Sequence, residues 1–371
     1  VRKRRFFLNK VNDFLSLFGW DIGVDLGSSN ALVYLKDRGV VIDEPMMMAR
    51  MRKKRWTGLS APKASQGQPI AYGVKAKNML NREPQRIEVV SPIERGSIAD
   101  LSAAEELFSY YLKLVYEVPS KYPRIFKPRV VVGVPSGITD VQKRAVKSIF
   151  KKAGAKEVML LEQAVLAAIG LGLPINQSAG LVLVDVGGGK TEISVVSMGG
   201  VVLTRNVGVA GKDFDKAIAD YVKMKYGMLI GELTAERVKL EIGNLSLEKK
   251  ATKTSLVRGR DMENGLPKSI KLSEGEIREA MVLGGSKIAK TLAKVLDQTA
   301  PELMEDILKR GIVMVGRGSN LRGLAELMEQ EVGINVRVAN ECGLCVIKGI
   351  EEILSDKEKQ KTVSMLSGYG R

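Results

Sequence analysis

Two hydrophobic patterns run through this chain, and each predicts a different element. Over residues 2–18, Phe7, Val11, Phe14 and Phe18 recur at helical spacing, and Leu8 and Leu15 widen the stripe. Asn9, Asn12, Asp13 and Ser16 fill the other side, so the spacing predicts an amphipathic helix. Elsewhere, short apolar runs that end in aspartate and glycine predict strands. Residues 21–34 read DIGVDLGSSNALVY and residues 181–195 read LVLVDVGGGKTEISV. In each, an apolar strand ends in Asp, a glycine-containing turn follows, and a second apolar strand begins. A third apolar strand, Ile312–Val315, leads into Gly316, Arg317, Gly318 and Ser319, with a helix expected from Asn320. Thr234, Ala235, Glu236, Arg237, Val238, Lys239 and Glu241 belong to a charged helix that in isolation reads as a solvated face.

The internal similarity is the most informative feature, because Gly-rich strand turns are common singly and a matched pair is not. Its chemistry is concrete. Gly27 in one copy, and Gly187, Gly188 and Gly189 in the other, let backbone N–H groups approach an anion with no Cβ in the way. Asp25 and Asp185 at the strand ends suit Mg²⁺ held through water, since magnesium keeps much of its hydration shell. Two such hairpins facing each other would grip a triphosphate and its metal between two domains. The glycine turn after Ile312–Val315 presents further backbone donors.

Composition narrows the setting. At 371 residues the chain is too long for one ordinary core, which predicts two domains. The absence of histidine excludes His-based triads and a histidine base. Cys342 and Cys345 cannot build a disulfide framework, and zinc would need two further ligands that the sequence does not supply. The net charge of +16 calls for a polyanionic neighbour. Arg2, Lys3, Arg4 and Arg5 precede the amphipathic stripe and Trp20 closes it, which suits a helix lying on anionic lipid. The polar residues within the stripe and the lack of a cleavage site argue against a signal peptide, so a cytoplasmic location is expected. The basic stretch Arg50, Arg52, Lys53, Lys54 and Arg55 with Trp56 reads as a solvated loop, because no nucleic-acid module accompanies it.

In this order the elements resemble the actin, Hsp70 and sugar-kinase superfamily, and within it the MreB-type bacterial actins. The resemblance runs from Asp21 to about Leu354 and includes VVGVPSGITDVQKRA (131–145), AERVKLEIGN (235–244) and GLP (265–267). It implies an α/β, actin-like fold of two duplicated RNase H-like domains with ATP and Mg²⁺ in a cleft between them. The expected division is a membrane-binding helix over 1–20, one domain over 21–175 with 340–356 returning to it, a second over 176–339, and a polar tail over 357–371. By position, Ser28, Ser29 and Asn30 match the family's first phosphate loop and Gly187, Gly188 and Gly189 its second. Glu236, Arg237, Val238 and Lys239 match its adenosine-side helix, and Gly316, Arg317, Gly318, Ser319 and Asn320 its last nucleotide loop. Ile125 and Phe126 fall in the exposed apolar loop that helps such proteins insert into membranes.

Three departures stand out. The family's water-positioning glutamate is here Gln163, Lys190 replaces the first Thr of DxGGGTTE, and Arg317 replaces the middle glycine of Gly-Gly-Gly. Glutamine can orient water but cannot take its proton, which implies slow ATP hydrolysis. The function implied is a filament-forming cytoskeletal protein that organises cell shape and wall synthesis. It would be a homopolymer, peripheral on the inner face of the cytoplasmic membrane, partnered by membrane cell-shape proteins and not by nucleic acid. The alternative is a non-polymerising, actin-like adaptor for a membrane assembly.

Overall fold

The structure, a computed structural model, describes residues 21–52, 67–118, 127–175, 177–246 and 253–356. The amphipathic stretch 2–18, Ile125, Phe126 and the tail 357–371 lie outside the described residues. The chain divides into two compact units. The first comprises the residues up to Val134, Ile138–Leu166 and the chain from Ile347 on; the second comprises Pro135–Gly137 and Ala167–Val346.

The first unit holds β1 (Asp21–Leu26), β2 (Asn30–Leu35), β3 (Gly39–Pro45), β4 (Met48–Met51), β5 (Pro69–Tyr72), β6 (Ile87–Val90), β7 (Ile93–Glu94), β8 (Ser97–Ile98), β9 (Arg129–Val134) and β10 (Glu157–Glu162). Its main sheet runs β10-β9-β1-β2-β3. β1, β2 and β3 form an antiparallel meander, while β9 and β10 add in parallel on the far side of β1. The second unit holds β11 (Leu181–Val186), β12 (Thr191–Ser197), β13 (Gly200–Val207), β14 (Met228–Leu229), β15 (Thr254–Asp261), β16 (Pro267–Ser273), β17 (Ile312–Val315) and β18 (Val336–Val338). Its main sheet runs β13-β12-β11-β17-β18 with the same senses. The similarity read in the sequence is therefore a duplication of a whole sheet.

The apolar runs follow from this topology. β1, β9, β11 and β17 are interior strands of their sheets and almost wholly buried, so they read as Val-, Ile- and Leu-rich runs rather than as alternating patterns. Helices cover the sheets through periodic apolar faces. In helix Leu101–Glu117, Ala104, Leu107, Phe108, Tyr111, Leu112 and Val115 are buried, and the Asp100 carboxylate caps the start by accepting from Ala103 N at 3.0 Å. Thr139 and Gln142 form a capping box before helix Asp140–Lys152, whose Phe150 ring lies 4.8 Å from that of Phe108. The second core gathers Val182, Val184, Phe214, Ile218, Met281 and Ile288 from the sheet and helices Gly211–Tyr226 and Glu274–Asp297. The last helix among the described residues, Cys345–Ser355, packs so closely that a Cβ on Gly23 of β1 would stand 2.4 Å from Ile350 Cγ2.

Two expectations are corrected. No helix starts at Asn320: Arg317–Asn320 form a 3-10 turn, and the helix is Leu324–Val332. Gly323 separates them because its φ is +78° and a Cβ there would stand 1.8 Å from Ser246 N, so the chain makes a left-handed bend first. Arg50 is not part of a solvated loop. It lies in β4, its side chain is 13% exposed, and it pairs with Glu88 at 2.6 Å and Asp100 at 2.8 Å, as a guanidinium must when taken out of water.

Candidate functional site

In the first unit the β1–β2 hairpin carries Asp25 and the turn Gly27, Ser28, Ser29. Gly27 is required where it stands, since a Cβ would meet Asn30 O at 2.5 Å. Ser28 is buried, and its hydroxyl accepts from Gly96 N at 2.8 Å, tying the turn to the β7–β8 hairpin. Ser29 O accepts from Met46 N at 2.8 Å, and the Asn30 amide donates to Asp43 Oδ1 at 3.0 Å. Asp25 is opposed across the ladder by Leu32. Its Oδ1 accepts from Gln163 Nε2 at 2.7 Å, from the first residue of helix Gln163–Gly170. The residue expected to position water is thus hydrogen-bonded to the aspartate expected to hold metal, through one N–H of its amide.

In the second unit the equivalent turn closes with Gly187 N donating to Lys190 O at 2.9 Å. The start of helix Gly211–Tyr226 grips it: Gly211 N donates to Gly187 O at 3.1 Å and Lys212 N to Gly188 O at 2.7 Å. Asp185 is opposed by Glu192, not by an apolar residue. Glu192 is 3% exposed and forms an ion pair with Lys190. It also accepts from Ser136 N at 3.2 Å and from Ser194 Oγ at 3.2 Å, so its charge is fully engaged.

The loop after β17 wraps Asp185. Gly316 has φ +82°, and a Cβ on it would stand 2.3 Å from Asp185 Oδ1. Gly318 is packed on Val186, Ser319 Oγ donates to Val315 O at 2.5 Å, and Asn320 hydrogen-bonds the Cys342 side chain. Arg317 lies across Gly343, where a Cβ would meet its Cγ at 2.6 Å, and Gly316 N donates to Cys342 O at 2.8 Å. Burial pushes the Cys342 thiol above its ordinary value; the Asn320 hydrogen bond opposes this and the Asp185 charge adds to it. The cysteines are buried thiols at the start of helix Cys345–Ser355, and Cys342 underlies this loop, a placement the sequence did not signal.

On helix Glu232–Ile242, Lys239 Nζ pairs with Asp215 Oδ1 at 2.7 Å and donates to Gly211 O at 2.9 Å, linking this helix to the start of Gly211–Tyr226. Arg237 pairs with Glu241 at 2.8 Å and donates to Leu256 O at 3.1 Å. Glu236 is half-buried, and Val238 is wholly buried in the core. Glu192 and Ser136 were also missed. Folding the second hairpin about its turn already opposes Asp185 to Glu192, so the former was findable.

Two mixed five-stranded sheets of identical order, each opening on an Asp–Gly hairpin, define an actin-like fold. The chain belongs to the MreB/Mbl family, whose MreB/Mbl protein model matches residues 19–362. It is 40% identical over 339 residues to the cell shape-determining protein MreB of Escherichia coli (strain K12), covering 91% of this chain and 94% of that one. The crystal structure of MreB5 of Spiroplasma citri bound to ADP is similar at a TM-score of 0.82 and 32% identity, covering 92% and 98% of the two chains. A MamK double helical filament shares the fold at a TM-score of 0.71 and 19% identity, over 91% and 99%.

Proposed function

We propose that this chain binds an adenine nucleotide through its two phosphate turns, polymerises head to tail on the inner face of the cytoplasmic membrane, and hydrolyses ATP slowly. The observation that carries the reading is the matched placement of Asp25 and Asp185 beside glycine turns on equivalent strands of two equivalent sheets. The similarity to MreB5, solved with ADP and with AMPPNP, supports the choice of ligand.

The residues fit a magnesium ion carried in by the nucleotide. No cluster of three or more carboxylate or thiol groups forms a protein-only metal cage among the described residues, whereas single carboxylates beside phosphate turns suit an ion that keeps its waters. Asp25 and Asp185 would hold it through water, and when bound it would neutralise phosphate charge. The chain's own contribution is positional. The turn amides meet phosphate oxygens, Gln163 orients a water without taking its proton, and Arg317 is held at the nucleotide loop. Membrane association rests on residues 2–18, with Ile125 and Phe126 as a second anchor, and would be joined by contacts to membrane cell-shape proteins.

Calorimetry with Mg-ATP tests the site: Asp185→Ala is expected to weaken binding at least about tenfold, as loss of a charged ligand group does. Unchanged affinity would overturn the assignment. ATP-dependent sedimentation, with and without anionic liposomes, tests assembly. Nucleotide binding without pelleting under either condition would leave a non-polymerising adaptor instead.

A further inference from the structure

The two phosphate turns differ in one electrostatic respect. Across β1–β2, Asp25 faces Leu32, but across β11–β12, Asp185 faces Glu192. Directly opposed residues of an antiparallel pair project from the same face with Cβ atoms about 4.5–5.5 Å apart, and like charges so placed are destabilising. Ser194 and Thr204 continue that polar face, their hydroxyls 3.1 Å apart. Glu192 is too deeply buried for water to screen it. The chain answers with Lys190: two residues before Glu192, its side chain is 12% exposed and its ammonium is paired with the Glu192 carboxylate. A fixed cation is thereby built into the turn whose glycines face the ligand.

We propose that Lys190 is a resident counter-ion of the second phosphate turn, supplying at Glu192, which stands opposite Asp185, part of the charge compensation that a divalent cation would otherwise bring. This rests on the nucleotide reading above and deepens it. The chain therefore holds ADP with little dependence on Mg²⁺, because the buried Glu192 charge beside the turn is already paired. Without Lys190 the buried Glu192 carboxylate loses its paired cation, and the added negative charge opposes phosphate approach unless the metal is present.

The test is ADP binding by calorimetry to the full chain, in Mg²⁺ and in EDTA. The parent is expected to lose no more than about threefold in affinity without metal, whereas Lys190→Thr loses about tenfold or more, the scale of one unpaired charge beside phosphate. Lys190→Arg, which keeps the charge, should behave as the parent. An equal loss in the parent and Lys190→Thr overturns the proposal. Should Lys190→Thr fail to fold by circular dichroism, Glu192→Gln decides. It keeps acceptors for Ser136 N and Ser194 Oγ and releases the ammonium, so ADP affinity in EDTA should rise several-fold; no rise overturns the proposal equally. Absence of ADP binding in both buffers would instead sink the nucleotide reading itself.

Discussion

Gln163 Nε2 donates to Asp25 Oδ1 at 2.7 Å, joining the start of a helix to the end of the first strand through a nearly buried amide. The bond uses one of the two amide N–H donors and leaves the amide oxygen outside it. It also means that any acid at position 163 would share its site with Asp25.

Gln163→Glu is therefore expected to accelerate phosphate release in a strongly pH-dependent way. Two carboxylates at this distance cannot both ionise easily, so the new base is held protonated near neutrality and acts on the alkaline side. General-base assistance is worth about 10²–10⁴-fold, and at least roughly tenfold should survive once the pair ionises. Phosphate release across a pH series at saturating Mg-ATP measures it. No acceleration at any pH would show that Gln163 does not limit the rate.

Gly316→Ala should damage stability and binding together. The substitution forces a side chain to φ +82° and drives its Cβ to 2.3 Å from Asp185 Oδ1. Strain of this kind costs on the order of 1–3 kcal/mol, readable as a lowered denaturant midpoint. Gly200→Ala is the control, since nothing lies within 4 Å of a Cβ there and its φ is ordinary. Equal effects at both positions would refute the steric account.

Acid should loosen the second unit at Glu276. Burial pushes this carboxyl up, but hydrogen bonds from the Tyr226 hydroxyl, Ser273 and Lys225 outweigh that and lower it from 4.5 to about 2. A depressed folded value means stability present above 4.5 and lost as pH falls toward about 2. Glu276→Gln should lower thermal stability modestly at neutral pH and flatten its decline across that window. A variant as acid-sensitive as the parent would assign the decline to other carboxylates.

Deleting residues 2–18 is expected to abolish flotation with anionic liposomes, and added salt should weaken flotation of the intact chain by screening its basic cluster. Equal flotation of the truncated chain would move the role to Ile125 and Phe126.

The legible part of the fold was the part written locally. Both hairpins are symmetric about their turns, so strands, aspartates and glycines could be placed from DIGVDLGSSNALVY and LVLVDVGGGKTEISV alone. Lys239 was read from a family match, but its partner Asp215 belongs to the preceding helix and carries no signal of that pairing. The Gln163–Asp25 bond and the support of Gly316 by Cys342 join distant positions, which periodicity does not report. The helix expected at Asn320 failed because Gly323 answers to Ser246, a neighbour in space alone.

The close seating of Gly23 against Ile350, and of Gly349 against Leu166 O, sets an order of events during synthesis. The main sheet of the first unit is complete once β10 has emerged, yet the helix that seals it, Cys345–Ser355, comes after the entire second unit. At about 5–20 residues per second, that sheet waits roughly 10–40 s with an apolar face uncovered. The residues of the second unit, almost continuous in sequence, emerge during the wait. A nascent chain therefore completes its second unit only at Val346, and its first closes on the residues that emerge directly afterwards.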